Sequence, residues 1–161
     1  MTEDKLLDEM QGLRDRITGI TGTAVASRDG LIIREDTGGV NPDNLAALTS
    51  AALSLAQRLA REAGQGTLRE ALTRSSGGFV AIYAVGASAV LVLLGDEGLD
   101  IARLHRESRS VVENIEKLLA LERTAADRGV EHLGGVGDRD VLTPLRQRGG
   151  DLQGTAGVSR D

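Results

Sequence analysis

The sequence has no cysteine and no tryptophan, and a single phenylalanine and a single tyrosine among 161 residues. Without cysteine the chain can form neither disulfides nor thiolate metal sites, and redox compartment is left open. Aromatics make up 1% of the residues, so a core must be built from Leu, Val, Ile and Ala. The 40% apolar content supplies one, and the length suits one domain of ordinary size. Positive charge is also in deficit: the formal net charge is -5 and the pI about 5.1. That balance argues against nucleic acid or an acidic membrane surface as the main partner. The N-terminus, MTEDKLLDEM, lacks the basic-then-apolar order of a signal peptide, so a cytoplasmic location is expected.

A long hydrophobic run is missing too. The most apolar stretch is GGFVAIYAVGASAVLVLLGD, residues 77–96, and it is interrupted by Gly86, Ala87 and Ser88. A membrane-spanning helix needs about 20 apolar residues. Small turn-forming residues in the middle and β-branched residues on both sides instead predict a hairpin, with strands over 79–85 and 89–94. No membrane insertion is expected.

What is present is a regular alternation of patterns. Leu6, Met10, Leu13 and Ile17 share one helical face over residues 4–17. TAVAS and LIIRED flank the hairpin signal Asp29-Gly30. Asn41-Pro42-Asp43 opens a helix that should stop at Gly64. Within it, Leu45, Leu48, Ala52, Leu55 and Leu59 form the expected core stripe. TLREALTR, 67–74, is a polar strand candidate. From Gly98 a long helix presents Ile101, Leu104, Val111, Val112, Ile115, Leu118 and Leu119 on one side, with its end expected near Arg123. Residues 125–161 lose all periodicity and are rich in Gly, Arg and Asp. They predict a flexible tail after a domain spanning 1–124.

The order helix, two strands, helix, three strands, helix defines an α+β fold with an antiparallel sheet. The two strands apolar on both sides belong at its centre with helices on both faces. The charged LIIRED and TLREALTR belong at its edges. Strand order 2-1-5-4-3 satisfies both requirements.

These residues resemble a known family. GTAVASRDGLIIRED, the Ala/Leu-rich helix ending at Gly64, TLREALTRSSGGFVAIYAVGASAVLVLLGDEG and the long last helix are similar to the Roadblock/LC7 family, and to its bacterial MglB-like members in particular. The resemblance covers about residues 4–120. It implies the sheet just described, with one helix on one face and two on the other. It further implies a homodimer that binds, and in some cases activates, a Ras-like small GTPase by positioning the GTPase's own residues. On that basis the chain is expected to be a regulator or scaffold rather than an enzyme. The alternatives are an assembly platform without effect on GTP hydrolysis, and a small-molecule sensor, which the scarcity of aromatics disfavours.

Two features bear on self-association. The second helix is apolar beyond its core stripe, over Ala46, Thr49, Leu53 and Ala60, which is more than one buried face requires. Thr49, Leu53 and Ala60 are therefore expected at a dimer interface. The third strand has no proline and an open edge. A twofold centred on Leu72 would set Glu70 opposite Arg74 in both halves of a ten-stranded sheet. Gln57, Arg58 and Arg61, on the polar side of the second helix, are the expected GTPase contacts.

Catalytic and cofactor signatures are absent. No GxxxxGK[ST] occurs, so the chain is not itself a P-loop nucleotidase. His105 and His132 have no companions at metal-ligand spacing, and neither cofactor nor metal is expected. Asp96 and Glu97 are expected to cap the last helix. Ser75-Ser76-Gly77-Gly78 reads as a turn, and Glu35-Asp36 as solvated carboxylates at the end of an edge strand.

Overall fold

The computed structural model describes residues 2–133. Its elements are α1 (Thr2–Arg16), β1 (Ile20–Ser27), β2 (Ile32–Asp36), α2 (Pro42–Glu62), β3 (Glu70–Ser75), β4 (Gly78–Val85), β5 (Ala89–Gly95) and α3 (Ile101–Leu133). All strand pairs are antiparallel and the order is β2-β1-β5-β4-β3. This is the expected order, with β4 and β5 inside the sheet and the charged β2 and β3 at its rims.

Alternation along the inner strands sorts the core into two layers. Phe79, Ala81, Tyr83 and Val85 of β4, with Ala89, Leu91 and Leu93 of β5, face α1 and α3. They meet Leu6, Met10 and Leu13 from α1 and Leu104, Val111, Ile115 and Leu119 from α3. On the other face Ile82, Val90 and Val92 meet Leu53 of α2. Ion pairs fasten α1 to its neighbours: Arg14 to Asp36 at 2.8 Å and Arg16 to Glu107 at 3.2 Å. Asp36 is thus engaged rather than merely solvated, and Glu35 accepts hydrogen bonds from the Thr37 amide and hydroxyl.

Local chemistry sets the element ends. Asn41 Oδ1 accepts from the Asn44 amide at the start of α2, with Pro42 in the first turn. At its other end the Gly64 amide donates to Arg61 O and the Gln65 amide to Ala60 O. Gly64 has φ +68°, which completes a Schellman stop. The cap of α3 is Asp100, whose Oδ1 accepts from the Arg103 amide. Asp96, expected in that role, instead closes the preceding turn onto the Gly98 amide. Ser76-Gly77 turns β3 into β4. Gly78 there has φ +143°, and a Cβ on it would lie 2.1 Å from Gly95 O, so no side chain fits.

Three boundaries differ from expectation. β1 begins at Ile20, because Gly22 is absorbed beside a register shift. β3 begins at Glu70, because the Leu68 amide is turned to Gln57 of α2, although Arg69 O already accepts from the Ala84 amide of β4. α3 runs through Leu133 instead of ending near Arg123. Ala125 and Ala126 are strong helix formers, and the exposed residues 120–129 need no apolar stripe. The remainder of the expected flexible tail, 134–161, lies outside the described residues.

Candidate functional site: an open helix stripe beside a bare strand rim

The position of α2 over the sheet follows from its polar anchors. Ser50 Oγ donates to Ser27 O at the end of β1. Gln57 Oε1 accepts from the Leu68 amide at 2.8 Å, and its Nε2 donates to Gly66 O at 3.2 Å. A Cβ on Gly30 would sit 3.1 Å from Ala47 Cα, so the helix passes directly over the β1–β2 turn. Ser27, Ala89, Val85 and Glu70 all lie at the same end of the sheet. α2 therefore crosses that end and leaves the other half of the sheet face beyond it.

This placement exchanges the two apolar stripes of α2. Ala46, Thr49, Leu53 and Ala60 are the buried ones, Leu53 to 1% exposure. Thr49 satisfies its hydroxyl on the Leu45 and Ala46 carbonyls. The interface expectation for Thr49, Leu53 and Ala60 is thereby corrected: they pack on the chain's own sheet, because small side chains let the helix approach it. Of the stripe expected in the core, Leu45 does pack, half-buried, against the inner cluster, while the rest faces outward. Leu48 is 70% exposed, Leu55 65% and Leu59 71%, with Ala52 between them. Their flank is opposite Ser50 and Gln57; toward the far end of the same sheet face Val80 and Leu94 pair and remain only partly buried.

At the rim, β3 pairs with β4 alone among the described residues. Leu72 is 41% exposed. Glu70, Leu72 and Arg74 lie opposite Tyr83, Ala81 and Phe79, on the α1/α3 face. Glu70 is held at 3.0 Å by His105 Nδ1, and the Arg74 guanidinium sits 5.7 Å from the Phe79 ring centroid. Arg58 and Arg61 are exposed on the polar back of α2. Gln57, half-buried, uses both ends of its amide to pin the loop into β3.

Among the described residues, no group of three or more His, Asp or Glu side chains could hold a metal ion. No helix there is long and apolar enough to cross a membrane, and residues 77–96 form the β4–β5 hairpin.

Comparison with known proteins places this geometry. The Roadblock/LC7 domain profile matches residues 6–95. Two uncharacterized proteins of Methanocaldococcus jannaschii are each 28% identical over 116 residues, which is 71% of this chain and 97% of theirs. A Roadblock/LC7 domain from Streptomyces avermitilis superposes with a TM-score of 0.64 at 26% identity, over 70% of this chain and 95% of that one. Myxococcus xanthus MglB superposes with a TM-score of 0.66 at 16% identity, over 72% and 95%, and shares the fold. With the profile spanning more than half its length and the sheet order as derived, the chain belongs to the Roadblock/LC7 family.

Proposed function

We propose that this chain works as a homodimer that serves as a regulatory platform for a bacterial Ras-like small GTPase. The observation that carries the dimer is the leucine stripe of α2. Leu48, Leu55 and Leu59, each at 65% exposure or more, form an apolar surface on the helix, and β3 leaves an open strand edge among the described residues. Such contiguous surfaces mark association sites. Gln57 ties α2 to the loop entering β3, so the helix is fixed relative to the rim, and the two surfaces are the proposed contacts of a second copy. The contacts are Leu48, Ala52, Leu55 and Leu59 on the helix, with β3 pairing about Leu72. In that register Glu70 of each copy faces Arg74 of the other, adding to the hold of His105 on Glu70.

The GTPase follows from the family resemblance, and Arg58 and Arg61 on the back of α2 are its proposed contacts. As the family resemblance implies, acceleration would act by positioning the GTPase's own residues. The test combines sedimentation with turnover. Light scattering of the purified chain should give twice the monomer mass, and Leu55→Glu should give the monomer. GTP turnover of small GTPases encoded beside the chain should then change on addition of the wild type but not of Leu55→Glu. Binding without a change in turnover assigns the passive-platform role. No binding in either nucleotide state removes the GTPase from the proposal.

A further inference from the structure

On the opposite face of the sheet, between α3 and the start of β3, lies a cleft of about 510 Å³. Val112 of α3 and the backbone entering β3 form its walls, and Tyr83 and Ser108, both buried, lie at its floor. Its rim carries Arg69 on one side and Arg106 and Arg109 on the other, all exposed. The ion pairs among the described residues are Arg14–Asp36, Arg16–Glu107, Arg34–Glu3 and His105–Glu70. None uses a rim arginine. Two carboxylates also line the cleft, Glu70 and Glu113, but Glu70 is occupied by His105. In a chain of net charge -5, three guanidinium groups at the rim outnumber the two carboxylates that line the cleft.

We infer that this cleft is a docking site for an acidic segment of a partner protein, separate from the surface of α2. The arrangement of charge selects that ligand. Arg106 and Arg109 lie one turn apart on α3, about 4.5 Å along its axis, and Arg69 stands on the other side of the cleft. Guanidinium groups on both sides of a cleft match carboxylates repeated along a peptide, each taken by a planar two-donor fork. Val112 offers the segment an apolar side-chain contact between its charges. Because the cleft opens on the α3 side, occupant and α2 partner can be bound together, and the site stands whether or not the GTPase proposal does.

The experiment is fluorescence anisotropy of a labelled oligoglutamate peptide titrated with the full-length chain at low ionic strength. Saturable binding is expected, and it should vanish near 1 M salt, where the screening length falls to about 3 Å. Arg106→Glu with Arg109→Glu should weaken it by about tenfold or more. Glu113→Gln, which removes the remaining opposing carboxylate, should strengthen it by about twofold to fivefold. Arg58→Glu with Arg61→Glu, an equal charge change on the back of α2, should leave it within about twofold. All of these are surface changes, and circular dichroism checks that the fold persists. Equal losses from the two arginine pairs, no saturable binding by the wild type, or loss of affinity in Glu113→Gln would each overturn the inference. So would phosphatidylserine vesicles or inorganic triphosphate binding through Arg106 and Arg109 while the peptide does not.

Discussion

One face of the sheet is covered by two helices and the other by one, and the two layers are finished to different degrees. On the α1/α3 face, Leu6, Met10, Leu13, Leu91, Leu104 and Ile115 are all essentially without exposure. On the α2 face the buried cluster is small, Ala24, Leu53, Ile82, Val90 and Val92, and it is bordered by apolar residues left partly or wholly exposed. A layer closed within the chain serves stability. A layer left unfinished over half a sheet, beside a strand whose other edge is unpaired among the described residues, suits the association proposed above. The difference is visible within a single helix: Leu53 and Leu55 are two residues apart, and one is buried while the other is among the most exposed leucines.

Mutations that probe the two layers should therefore differ in what they disturb. Leu91→Ala, in the closed layer, should destabilise the protomer by about 2–5 kcal/mol, and Leu53→Ala by a similar amount. Leu55→Ala should stay within about 0.5 kcal/mol when urea unfolding is measured at concentrations where the chain is monomeric. A large loss from Leu55→Ala under those conditions would mean the exposed stripe belongs to the protomer's own core. Self-association should show the reverse pattern. Leu55→Glu would bury an unpaired carboxylate at the proposed interface and weaken association by about a hundredfold, with little effect on monomer unfolding.

A smaller effect separates the rim from the helix. If Glu70 faces Arg74 across the twofold, Arg74→Glu should weaken association by about threefold to tenfold, and Glu70→Arg in the same chain should restore most of it. Equilibrium sedimentation of the single and double variants decides this. Additive losses would exclude the register centred on Leu72 while leaving the helix contact in place. Gln57→Ala gives the control for the link between them. It frees the Leu68 amide, and should cost about 1 kcal/mol in the protomer.

The sequence made the closed layer legible and the open one only partly so. Strand order followed from β4 and β5 being apolar on both sides, and from charges within β2 and β3. The face of α1 followed from Leu6, Met10 and Leu13. The two stripes of α2 could not be ranked, because an apolar sector wider than one face does not state which flank meets the sheet. The anchors that decide it, Ser50 on Ser27 O and Gln57 on the loop into β3, are tertiary contacts. One local signal was available: Ala46, Thr49, Ser50 and Ala60 are small, as close packing on a sheet requires, whereas Leu48, Leu55 and Leu59 are not. The extension of α3 through Leu133 was hidden for a related reason, since an exposed helix carries no apolar period. The arginine cleft joins residues from β3, β4 and α3 that only the folded sheet edge brings together, and no spacing along the chain announces it.

The finest probe of the closed layer is Tyr83, because it is the sole tyrosine and the chain has no tryptophan. Its hydroxyl lies between Ser108 and Glu70 beneath the cleft. Burial raises its pKa from 10.0 to about 12, the Glu70 carboxylate adds to the rise, and a hydrogen bond from Ser108 opposes it. Folding thus favours the neutral phenol. Its contribution to stability is fully present below the unfolded value near pH 10, and is lost as pH rises through the folded value near 12. Tyrosinate absorbance during alkaline titration should reach its midpoint near 12 while circular dichroism still reports a folded chain. Two substitutions then move it by small amounts in opposite directions. Glu70→Gln removes a neighbouring negative charge and should lower the midpoint. Ser108→Ala removes the bond that steadies the phenolate and should raise it. A midpoint at the ordinary tyrosine value in the folded wild type would show that this side of the sheet admits water at the base of α3, and the contrast between the two layers would lose its sharpest marker.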